Sequence, residues 1–229
     1  MGPPIFSFYN RLYLIYNSQP LGVWQTLRNT QATLKLTGKI HRFLVRLSRM
    51  PRTRGFGVQS PTAYRFIRYV VSEHSPYYQY ATLAKQYPHD RHTRRLCELM
   101  FRLANYSHAY DWLQSKAQLN LFTPYIKSGH RRVQVKTINS LSEIEQLNKI
   151  GVLQAGYSAD CEQLIKAALK KVSPTSMFII HDIYLNDEMR RLWRSLEQSP
   201  ICIITIDLYE CGIILFDDKV SKQSYKTNF

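Results

Sequence analysis

The stretch ICIITIDLYECGIILF, Ile201–Phe216, carries the main clue to the architecture. It holds two β-branched, apolar runs, ICIITIDL and GIILF, around Tyr209, Glu210, Cys211 and Gly212. A crossover between parallel strands takes a dozen or more residues. This link is far shorter, so the two strands pair antiparallel. Asp207 and Glu210 also break the run too early for a membrane span.

Upstream the pattern alternates. AYDWL reads as a strand, and AQLNLFTPYIKSG as a helix. In RRVQVKTI, Val133, Val135 and Thr137 alternate with Gln134 and Lys136, which predicts another strand. Ser140 and Glu143 have capping-box spacing ahead of SEIEQLNK. GVLQAG reads as a short buried strand, SADCEQLIKAALKKV as a helix, and SMFIIHDIY as a strand. Asn186 caps the helix NDEMRRLWRSLEQS, whose apolar face is Met189, Leu192, Trp193 and Leu196. Strands alternating with helices imply a mostly parallel sheet covered on both faces. The chain is therefore an α/β protein whose parallel sheet ends in an antiparallel hairpin.

Three segments follow from composition and punctuation. Residues 1–50 form a basic, aromatic extension, 51–108 a helical cap, and 109–229 the α/β core. No Asp or Glu precedes Glu73, while that part carries eleven Lys or Arg. The remaining chain holds twenty basic and sixteen acidic residues. The net charge of +15 thus belongs largely to the N-terminal third and favours anionic partners. Within it IHRFLVRLSRM places Ile40, Phe43, Leu44 and Leu47 at helical spacing between basic residues, which predicts a docking helix with a solvated basic face. MPRTRGFGVQSP is a loop, and TAYRFIRYVVSEH and TRRLCELMFRLANY read as helices.

Several chemistries lack their residues. The four cysteines form no CxxC and read as free buried thiols. No HExxH, phosphate-binding loop or Ser-His-Asp order is present. IFSFYNRLYLIY is broken by Asn10 and Arg11, and MGPPIF has Phe6 where a myristoylation pattern wants Ser or Thr. These readings place the protein in the cytoplasm, with a peripheral position at a membrane as the alternative. The basic clusters GHRRVQV and HDRHTRR read as solvated faces, and Tyr77, Tyr78 and Tyr80 as packing residues.

Two blocks resemble a known family. In GFGVQSPTAYRFIRYVVSEHSPYYQY, residues Gly55, Gly57, Val58, Ser60 and Pro61 match a segment ahead of the core in bacterial, Bacteroidetes-type class I S-adenosylmethionine-dependent methyltransferases. Phe56, Gln59 and Thr62 depart from it. In the C-terminal block Asp182, Ile183, Glu188, Met189, Trp193, Thr205, Ile206, Asp207, Leu208 and Gly212 match. The resemblance covers roughly residues 52–229 and implies a Rossmann-like sheet with an antiparallel last strand.

The resemblance also implies where a cofactor binds, and there the residues depart. Asp111 takes the acidic position of the first motif, with Ser115 in the loop that follows. The expected glycines fall near Leu113 and Ala117, where a Cβ blocks close approach. Asn139 replaces the acid that holds the ribose, and Gln154 replaces the strand-four acid that can ligate a metal in related O-methyltransferases. The helix and strand that supply adenine contacts are largely missing between Ile138 and Gly151, which reduces the sheet. His181 and Asp182 replace an Asp-Asp pair; with one carboxylate left they make a poor Mg²⁺ site and weak candidates for a softer metal. Asp111, Ser115, Asn139 and Gln154 are thus the cofactor-site candidates, and no metal is expected.

These departures predict a divergent, non-catalytic or weakly active methyltransferase-family protein that acts as a binding scaffold. One alternative is an active methyltransferase on a small molecule with an atypical S-adenosylmethionine pocket, open near Asp111–Ala117 and not filled by Leu113 and Phe122. The other is a basic module that binds acidic lipid or nucleic acid through residues 11–68.

Overall fold

The computed structural model describes residues 42–50, 57–75 and 77–229. The basic start up to residue 41, with Ile40, and the loop 51–56 lie outside the described residues. The chain divides into two compact units, Met1–Met50 and Pro51–Phe229. In the first, residues 42–49 are helical. Phe43, Leu44 and Leu47 are exposed there, where the sequence predicted a docked apolar face.

The second unit begins with helix α1, Pro61–Phe66, capped by the Ser60 hydroxyl, which accepts from the Ala63 N–H at 3.3 Å. It continues as a π-turn over Ile67–Val71. After α2, Tyr80–Gln86, comes the long α3, Arg91–Ser107. The Asp90 carboxylate caps α3 by accepting from the N–H groups of His92 and Thr93. His108 ends it in the left-handed region.

Seven strands form one sheet: β1 Asp111–Gln114, β2 Gln134–Thr137, β3 Val152–Ala155, β4 Met177–His181, β5 Ile204–Asp207, β6 Cys211–Leu215 and β7 Gln223–Lys226. Their order is β2-β1-β3-β4-β6-β5-β7. The strand β6 runs antiparallel to both β4 and β5, and all other pairs are parallel. The hairpin read from Ile201–Phe216 is therefore present, with β6 inside the sheet. Among the described residues no strand lies beyond β2, where the adenine segment is missing from the sequence. The strand β7 was not foreseen, because QSYK has no apolar alternation.

The predicted helix AQLNLFTPYIKSG splits into a 3₁₀ turn, Ala117–Phe122, and α4, Thr123–Gly129. Pro124 lacks an N–H and sits in the first turn of α4, where that loss costs least. The remaining helices are α5 Leu141–Glu145, α6 Cys161–Leu169 and α7 Asp187–Gln198.

Alternating strand residues feed two cores. Trp112, Val152, Ile179 and Ile213 pack with Phe66, Leu99, Met100 and Ile126 on one face. Leu113, Leu153, Phe178 and Ile214 pack with Ile165, Leu192 and Trp193 on the other. Gly212 matters here: a Cβ on it would lie 2.3 Å from the Trp193 ring. The Trp and Gly of the C-terminal block are thus a packing pair. All four cysteines are free and buried.

Candidate functional site

In open α/β sheets, ligands bind outside the carboxyl ends of the strands. Here those ends belong to β1, β3 and β4. Parallel register sets Gln114 beside Gln154, and His181 ends the next strand. All three are buried: Gln114 and Gln154 have no exposure and His181 has 5%.

They form one hydrogen-bonded relay. The Gln154 amide oxygen accepts from Trp112 Nε1 at 2.9 Å and from Gln114 Nε2 at 3.0 Å. With its oxygen taken, Gln154 Nε2 donates to His181 Nε2 at 2.9 Å. Gln114 Nε2 also donates to the Leu119 carbonyl at 2.8 Å, and Gln114 Oε1 accepts from Thr123 Oγ1 at 3.3 Å. The 3₁₀ turn is thereby tied down across the strand ends. From that turn Phe122 stacks on the His181 ring, with centroids 4.9 Å apart and planes 17° from parallel. Burial, helped by the charge of Lys116, pushes the His181 pKa down to about 4. The imidazole is neutral at neutral pH, and its Nε2 is the acceptor that Gln154 needs.

The loop after β1 is closed by its own side chains. The Ser115 hydroxyl accepts the Gly156 N–H at 3.1 Å, and the Ser115 N–H donates to the Gln154 carbonyl at 3.0 Å. Lys116 donates to the Tyr157 carbonyl. Its Cε lies 2.6 Å from where a Cβ on Gly156 would stand.

The predicted site residues separate. Gln154 and His181 are together, with Ser115 next to them. Asp111 opens β1, at the end of the strand away from the relay, and its carboxylate lies 4.0 Å from Lys136 Nζ. The residue that closes β1 is Gln114. Asn139 is exposed beyond β2, where its N–H donates to Glu143 at 3.3 Å. Asp182 is exposed and has φ 56°, a strand-end turn. Phe122 fills the cleft, whereas Leu113 faces the opposite core. The sequence reading missed Gln114 and Trp112, which carry no motif. Their alternation with Leu113 along DWLQ is the one local signal that both point the same way.

The residues do not fit S-adenosylmethionine at these strand ends. The polar groups that would meet it are buried and answer one another, and an aromatic ring covers the terminal histidine. Among the described residues no group of three or more His, Cys, Asp or Glu is placed to hold a metal ion.

No family model matches the chain, and no curated protein matches it. Solved structures similar to it in fold include methyltransferases. An SAH-bound methyltransferase from Podospora anserina has 10% identity and a TM-score of 0.47 over 70% of this chain and 97% of that one. A methyltransferase from Geobacter sulfurreducens has 11% identity and a TM-score of 0.45 over 67% and 97%. An O-methyltransferase from Bacillus cereus in complex with SAH has 13% identity and a TM-score of 0.41 over 65% and 96%. The likeness is one of fold alone, a Rossmann-like mixed sheet.

Proposed function

We propose that the chain is a divergent class I methyltransferase-type protein that does not transfer methyl groups, and whose sheet serves as a scaffold for a protein partner. The observation that carries this reading is the sealed relay of Gln114, Gln154 and His181 under Phe122. Cofactor binding would have to break these buried bonds, and each polar group left unpaired costs about 1–3 kcal/mol. Function resides in sites placed on a fold, so a sheet can persist after its site has closed. The test is calorimetric titration of the folded protein with S-adenosylmethionine and S-adenosylhomocysteine. No heat from either is expected, and micromolar binding at the strand ends overturns the proposal.

A second reading has its own observation. Phe43, Leu44 and Leu47 are 64%, 55% and 51% exposed on the helix that also carries the half-buried Arg42 and Arg46. An exposed apolar face beside basic residues suits an acidic lipid surface. No helix among the described residues is long and apolar enough to cross a membrane. Sedimentation with phosphatidylserine vesicles, lost at high salt and absent with phosphatidylcholine, supports it. Equal binding to both lipids, or binding to RNA in place of vesicles, removes it.

A further inference from the structure

Where the π-turn, α2 and α3 meet there is a cavity of about 280 Å³. Arg102, Arg95, Glu73, Glu98, Tyr80 and Phe229 line it. Arg102 is only 7% exposed. Its Nε donates to the Val70 carbonyl at 2.7 Å, Nη2 to the Val71 carbonyl at 3.3 Å, and Nη1 to the Tyr80 hydroxyl at 3.3 Å. Capping the orphan carbonyls at the end of the π-turn explains these bonds. It does not answer the charge. A guanidinium has five N–H groups, and here three are used, none on an acid. No carboxylate among the described residues lies within 4.0 Å of Arg102. Glu73 is near enough to feel the charge but does not pair with it, and a buried cation without a close acid is costly.

The same cavity also holds carboxylates. Glu98 has its nearest basic group, Arg94 Nε, at 3.9 Å, and its side chain is partly exposed. Glu73 accepts from the Ser75 N–H at 2.6 Å. Arg95 donates to the Phe229 backbone oxygen and sits 5.4 Å over the Phe229 ring. A simple anion would meet Glu98 and Glu73, and a simple cation would meet Arg102. A small zwitterion meets both signs with the opposite charge. The volume lies just below the range of about 300–1,000 Å³ typical of ligand pockets, which suits a molecule of amino-acid size.

We propose that this cavity binds a free amino acid or a close derivative, with its carboxylate on Arg102 and its ammonium on Glu98. Tyr80 and Phe229 supply the apolar wall for the rest of the molecule. The site is separate from the strand ends and stands whether or not S-adenosylmethionine binds there.

The test is calorimetry on the full chain with the standard L-amino acids, one at a time. Acetate, inorganic phosphate, and the amide and N-acetyl derivative of any binder serve as controls. At least one free amino acid is expected to bind, and its two blocked derivatives to fail. Glu98→Gln is expected to weaken binding by about tenfold or more with an unchanged circular dichroism spectrum. Arg102→Lys, which keeps the charge but loses the fork, is expected to weaken it as well. No binding by any free amino acid at millimolar concentration overturns the proposal. So does equal binding of acetate or phosphate, or unchanged affinity in Glu98→Gln. Since S-adenosylmethionine is itself a zwitterion, any heat it gives that Glu98→Gln removes belongs to this cavity and not to the strand ends.

Discussion

The strand ends at Gln114, Gln154 and His181 and the cavity at Arg102 and Glu98 both bring polar groups into an apolar unit, and they end differently. In the relay the donors and acceptors of neighbouring side chains meet within the protein, and burial keeps His181 neutral. In the cavity a guanidinium has donors left over and no carboxylate within 4.0 Å among the described residues, and a carboxylate has only a distant partner. Polarity alone does not make a site. The first region has the position of a cofactor site and the saturation of a core. The second has no motif, yet it leaves charge unanswered.

Four measurements test this contrast. The largest effect is expected for Phe122→Ala, which removes a buried ring from His181 and leaves a void. Urea unfolding should show a loss of about 3–5 kcal/mol. A loss under about 1 kcal/mol would mean that the strand ends are loosely closed. Gln154→Leu comes next. It leaves the Trp112 indole and one Gln114 N–H without an acceptor, for about 3 kcal/mol in the same assay. A neutral outcome would mean that water replaces the relay and that the region can open.

The third effect is on pH. His181 has a folded pKa of about 4, below its ordinary 6.5. The unfolded chain therefore takes up the proton first. The stability is fully present above pH 6.5 and is lost as pH falls towards 4. Between about pH 7 and about pH 5 the loss should be about 2 kcal/mol. That slope should vanish in His181→Gln, measured against the parent chain. The smallest effect is expected in the cavity. Glu98→Gln should change stability by less than about 0.5 kcal/mol, because its contact with Arg94 is long and exposed. A larger loss would make Glu98 a structural residue and erase the contrast.

The legible and illegible parts of the molecule differ in range. The antiparallel pair could be read because a short link between strands is a local fact. Loss of glycine near Leu113 and Ala117 was local too. The strand β7 was illegible, since Gln223, Ser224 and Lys226 become a strand only by pairing with β5. Asp111 shows what a small boundary error does. AYDWL suggests a strand ending at Leu113, but β1 runs from Asp111 to Gln114. The acid therefore opens the strand, and a glutamine closes it where the acid was sought.

The chain's own order of residues determined the alternation of strands and helices, the antiparallel return of β6 and the basic N-terminal third. These depend on neighbours in sequence. Whether Gln154 and His181 would meet a ligand or the protein was decided only by tertiary structure. Their partners Gln114 and Trp112 lie about forty positions before Gln154 and reach it through the parallel register of β1 and β3. A polar side chain takes its role from whichever donors and acceptors surround it once water has gone, and that set exists only after the sheet has formed.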